Sequence, residues 1–84
     1  MSIGTLEGER HVATNRPRGG GLRPRETEIV RRLAEGQTFR QIGDSLQIKE
    51  RTVRFHTENA KEAMQAVNLL NLIAISIRRG LIGQ

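Results

Sequence analysis

Arg51, Arg54, Phe55, Glu58 and Glu62 recur at intervals that a helix laid out at 100° per residue gathers into one stripe. Val53, Ala60, Met64 and Val67 fall on the opposite side, with His56 and Thr57 at its edges. The apolar side must face a core, which leaves the charged stripe to meet a ligand or water. Two guanidinium groups on one stripe offer forked donors that suit phosphate oxygens or guanine edges. Twelve of the fourteen basic residues are Arg, in keeping with that chemistry, although Arg-rich coding in a GC-rich genome gives the same count. No other group of residues assembles a reactive site. His11 and His56 are the only histidines and there is no cysteine, so neither a metal-ligand set nor a thiolate nucleophile is expected. His56 reads as a structural residue at the edge of the core. Asp44 and the scattered glutamates lack the pairing that acid–base catalysis needs. The expectation is a binding protein, with no enzyme activity, metal or cofactor.

The elements that position the stripe are legible from their boundaries. Pro24 suits a first helical turn, and the Glu26 carboxylate falls in the same turn, where the helix dipole favours it. Ile29, Val30, Leu33 and Ala34 make an apolar stripe, and Gly36 stops the helix. Thr38 and Gln41 form a T-x-x-Q capping box opening a second helix, with Phe39, Ile42, Gly43 and Leu46 inward. A break at Gln47 and Ile48 leads into the third helix, which carries the reading stripe. The expected fold is all-α, with helices over 24–35, 38–46, 49–65 and 68–79. Two short helices, a tight turn and a third helix that starts with basic residues predict a helix-turn-helix and DNA as the ligand.

Residues 22–82 resemble the LuxR/GerE family of bacterial DNA-binding domains. The resemblance is carried by Leu22, Arg25, Glu26, Glu28, Ile29, Val30, Leu33, Ala34, Gly36, Ile42, Leu46, Ile48, Thr52, Val53 and His56, then by Asn59, Asn68 and the closing Ile-Arg-Arg-Gly-Leu-Ile. It implies a four-helix DNA-binding domain of a transcriptional regulator acting in the bacterial cytoplasm, at the nucleoid. It places base-reading positions on Arg54, Phe55 and Glu58, with Arg51 just ahead. Either arginine is suited to guanine O6 and N7. Phe55 either packs on a thymine methyl or tucks against the domain edge. Glu58 either accepts from cytosine N4 or pairs with Arg54 or Lys61. Thr38, Arg40, Lys49, Thr52 and Lys61 form a rim for phosphate contacts. The chain departs from the family at Arg23, Gln47 and Lys49, where a small polar cap, a turn Gly and a Ser cap are usual. Each departure costs about 1 kcal/mol, so a domain less stable than its relatives is expected.

Residues 1–21 are poor in apolar side chains and end in three glycines, the composition of a flexible basic arm ahead of a domain at 22–84. The arm is too short to be the sensor or receiver domain that precedes this unit in most of the family, so the chain is expected to be either a stand-alone regulator or the excised end of a longer one, and its start at Met1 favours the first. Arg16, Arg18 and Arg23 suit a minor groove, but a solvated linker is the simpler reading. The net charge of +5 favours an anionic partner. No apolar run reaches membrane-spanning length, so no membrane partner is expected.

The fourth helix is more apolar than a small core requires. The wheel assigns Leu70, Ile73, Ala74, Ile77 and Leu81 to the core. Leu69, Leu72, Ile75 and Ser76, edged by Arg79, are left outside as a homodimer surface that would demand an inverted-repeat site. The same stripe would receive a full-length LuxR-type regulator if the chain were an antagonist; RNA polymerase is a further candidate partner. Region four of a sigma factor shares part of the pattern but normally lacks the closing helix.

Overall fold

The computed structural model describes residues 21–83. Four helices follow in order: α1 (Pro24–Ala34), α2 (Phe39–Leu46), α3 (Glu50–Met64) and α4 (Leu69–Arg78), with no strand among the described residues. The expected arm lies outside the described residues apart from Gly21, which is buried at φ 81°.

The boundaries follow from local chemistry. Arg23 caps α1 with an extended backbone, Pro24 occupies the first turn, and the Glu26 carboxylate accepts the Arg23 N–H at 2.9 Å. Glu26 is therefore more than a dipole partner: it is buried, and it satisfies one of the orphan donors of the turn. Gly36 stands at φ 96° after α1, where a left-handed residue must close the helix. The Thr38 hydroxyl accepts from Gln41 N–H at 3.1 Å while the Gln41 side chain accepts from Thr38 N–H at 2.8 Å. α3 starts at Lys49 with no side-chain cap, and the turn before it holds Gln47 at φ 60°. The departures at Gln47 and Lys49 thus appear as a left-handed residue in the turn and a helix start without a side-chain cap. Asn68 opens α4 by accepting from Asn71 N–H at 2.8 Å.

Two apolar clusters join the helices. Ile29, Ile42 and Val53 are fully buried and knit α1, α2 and α3, with Leu33, Phe39, Leu46 and Ile48 packed around them. Val30, Ala60, Met64, Leu72 and Ile82 form the second cluster, which fastens α4 and the tail to α1 and α3. Burying so many branched side chains at roughly 1.5–3 kcal/mol each is the main force that fixes the angle of α3.

Three sequence expectations change here. Ala34 is exposed, at the end of α1 beyond the reach of the core. Val67 is 83% exposed instead of continuing the α3 core face. The helix ends at Met64 and Gln65 takes φ 57°, so the 100° progression stops before Val67. The largest correction concerns α4, whose expected outward face is turned into the core. Leu72 and Ser76 are completely buried. Leu69 and Ile75 are half-buried and pack on the second cluster, and Arg79 donates a weak bond to the Met64 sulfur at 3.8 Å. Leu70 at 78% exposure, Ala74 and Ile77 face water instead, while Ile73 and Leu81 do touch the core. Small Ser76 lets α4 lie close against its neighbours, which the bulkier Ile77 would prevent.

Candidate nucleic-acid interface

Val53, Thr57, Ala60 and Met64 anchor α3 along its inner side. The Thr57 hydroxyl donates to the Val53 carbonyl at 2.8 Å, which lets this polar residue sit in the core. The opposite side presents Arg51, Arg54 and Glu58, all exposed. Phe55 is half-buried, with its ring edge-on to His56 at 5.8 Å between centroids.

The charged residues sort into pairs. Glu58 pairs with Lys61 at 3.0 Å, the second of its two sequence-level options in the free protein. Arg54 pairs with neither Glu58 nor another downstream acid; its Nη2 donates to Glu50 Oε2 at 2.7 Å, one turn earlier. Its guanidinium also lies over the Phe39 ring of α2, with Cζ 4.7 Å from the centroid. Glu28 braces both Arg31 and Arg32 at 2.8 Å on the outer surface of α1, so those two arginines are committed to a local network.

Among the described residues, shallow depressions lie along α3. Arg51, Thr52, Phe55 and His56 line one. Thr38, Phe39, Arg40, Glu50 and Arg54 share a second with Leu33, Gln37 and Leu69. Glu58, Asn59, Lys61 and Glu62 line a third at the far end of the helix, against Ala66. The expected base-reading residues therefore share one helix but not one groove. Thr38 and Arg40, expected on phosphate, come together with Arg54. Lys49 is exposed at the start of α3, and Thr52 and Lys61 are partly buried along its flanks. Sequence reasoning missed Phe39 as part of this surface and the pairing of Glu50 with Arg54. The Glu50–Arg54 spacing of four was available as a signal; the Phe39 stacking has none, because it joins two helices.

His56 is partly withdrawn from water. Burial lowers its pKa below the ordinary histidine value; Glu26 opposes that shift and Arg25 adds to it. The unfolded chain takes up the proton at about 6.5, the folded chain only at lower pH, so unfolding gains protons in between. The stability His56 contributes is thus complete above about pH 6.5 and is lost as pH falls through the folded pKa. The melting temperature is expected to decline between about pH 7 and pH 5, and His56→Gln to flatten that decline. An unchanged slope in the variant would assign the pH dependence to other groups.

A reading helix held by a capped helix and a tight turn, with arginines outward, defines a helix-turn-helix DNA-binding domain. The pattern of the bacterial regulatory proteins of the luxR family matches residues 21–76, and the chain belongs to that family. It is 39% identical over 61 residues to the transcriptional activator protein SolR of Ralstonia solanacearum, covering 73% of this chain and 26% of SolR. It is 40% identical over 73 residues to the HTH-type quorum sensing-dependent transcriptional regulator RpaR of Rhodopseudomonas palustris, covering 83% of this chain and 30% of RpaR. The regulatory protein SdiA of Escherichia coli is 40% identical over 58 residues, covering 69% of this chain and 24% of SdiA. The chain thus spans 24% to 30% of the length of these relatives. No helix among the described residues is long and apolar enough to cross a membrane.

Proposed function

We propose that the chain is a sequence-specific transcriptional regulator that binds an inverted-repeat DNA site as a homodimer in the bacterial cytoplasm. The observation that carries the reading is α3 itself, clamped by Val53, Ala60 and Met64 in the core while Arg51 and Arg54 face out. Arg51, Arg54, Phe55 and Glu58 read bases from the major groove. Thr38, Arg40, Lys49, Thr52 and Lys61 hold the phosphates on either side. Arg54→Ala is expected to weaken binding to the best site by roughly 1–3 kcal/mol and to relax one base position. Lys49→Ala should weaken all sequences alike and lower the salt slope by about one unit. Selection of bound fragments from a random DNA pool, followed by titrations at several salt concentrations, checks both. If neither variant changes affinity, α3 is not the reading element.

The dimer is proposed on the outward face of α4, where Leu70, Ala74 and Ile77 follow one another at helical spacing and are exposed. Large apolar side chains left in water are a surface that pairing removes. A two-fold axis there would set two α3 helices about one DNA turn, or a multiple of it, apart. Leu70→Glu is expected to abolish self-association and cooperative DNA binding while the melting temperature stays within a few degrees of the parent. Sedimentation that finds the parent monomeric both free and on DNA would remove the homodimer. Failure to shift any fragment at any salt, with capture of a full-length LuxR-type regulator through the same face, would make the chain an antagonist.

A further inference from the structure

The reading face treats its two arginines differently. Arg51 is exposed and its side chain has no hydrogen bond or ion pair among the described residues. Arg54 is held from two helices at once. Glu50 takes one of its donors at 2.7 Å from within α3, and the Phe39 ring stacks against its guanidinium from α2. The ring is itself fixed, since Phe39 packs against the cluster of Ile29, Ile42 and Val53. The Arg54 side chain nevertheless remains 58% exposed, so part of its fork of donors is left for a ligand.

We propose that Phe39 and Glu50 are positioning residues that set the orientation of Arg54, and so fix the base preference of this domain from α2 as well as from α3. The inference rests on the reading of Arg54 as a base-contacting residue. A guanidinium has five N–H donors in one plane. The Phe39 ring beneath it limits where the guanidinium can lie, and the Glu50 bond limits its rotation. What remains free is an edge able to meet guanine O6 and N7 together. A long side chain gives up rotamer freedom when it docks, and one already held gives up less. The Glu50–Arg54 pair is exposed at one turn's spacing, a class of contact that adds little to fold stability. A carboxylate on a DNA-facing surface also repels phosphate. Orientation of Arg54 is the role that suits both facts.

The test uses the full chain and the DNA site selected with the parent. Kd is measured for that site and for single-base substitutions of it, with the parent, Arg54→Ala, Glu50→Gln, Phe39→Leu and Phe39→Tyr. Arg54→Ala should reduce discrimination at one base position about tenfold. Glu50→Gln and Phe39→Leu should each reduce it roughly three- to fivefold at that same position, with no further loss when combined with Arg54→Ala. Phe39→Tyr keeps a stacking ring and should retain the preference, which separates positioning from a general loss of packing. Thermal melts identify any variant that fails to fold. Positioning is overturned if Glu50→Gln tightens every sequence equally and Phe39→Leu leaves discrimination intact while Arg54→Ala removes it. If Arg54→Ala itself leaves every base preference unchanged, the base-reading role falls and the positioning role with it.

Discussion

Leu72→Glu is expected to leave the chain without a cooperative melt. Leu72 is completely buried in the cluster that joins α4 to Val30, Ala60 and Met64. Truncating such a leucine to Ala costs about 2–5 kcal/mol. A glutamate adds the cost of taking a carboxylate out of water with no partner to receive it. The folded region spans 63 residues, 21 to 83, and at roughly 0.05–0.15 kcal/mol per residue its whole stability is about 3–9 kcal/mol. The substitution alone is enough to exhaust that margin. Far-UV circular dichroism with heating provides the measurement, and Leu70→Glu is the paired control, since the same charge placed two residues earlier lands in water. A cooperative transition in Leu72→Glu near that of the parent would mean that α4 docks by its other face.

Gly43→Val should be the most damaging substitution in the helix-turn-helix. A Cβ at position 43 would stand 2.8 Å from the Ile48 carbonyl oxygen and 3.5 Å from the Glu50 nitrogen. Both atoms are backbone, so neither can swing aside as a side-chain tip would. Relief requires α2 to move away from the turn, while Ile48 N–H donates to the Gly43 carbonyl at 2.9 Å and opposes that movement. Overpacking of this kind costs about 1–3 kcal/mol or more, and valine returns little of it through helix propensity. The turn also sets the direction in which α3 leaves. DNA affinity should therefore drop further than the unfolded fraction accounts for, measured by titration well below the melting point. A valine variant with parental melting temperature and affinity would contradict the close approach at Gly43.

The capping box of Thr38 and Gln41 follows from residue types three apart, and the stop at Gly36 from the one residue free to turn left. Such signals act over a single turn, so helix positions were readable to within one or two residues, and the helix-turn-helix with them. The inward residues of α2 and α3 were equally legible, because each helix is apolar on one side only. Val67 shows where this reasoning stops: a periodicity holds only while the helix lasts, and α3 ends before it.

By itself, then, the sequence determined the number, order and limits of the helices, the family and the exposed arginines of α3. Tertiary structure decided which face of α4 is inside. Leu69 to Ile77 carries large apolar groups on both sides, so hydrophobic burial favours either phase nearly equally. The choice falls to shape, where the small Ser76 permits an approach that Ile77 does not. Tertiary structure also brought Phe39 under Arg54. That contact joins residues fifteen positions apart on different helices, and no local spacing rule relates them; it exists only because the first apolar cluster draws α2 against α3.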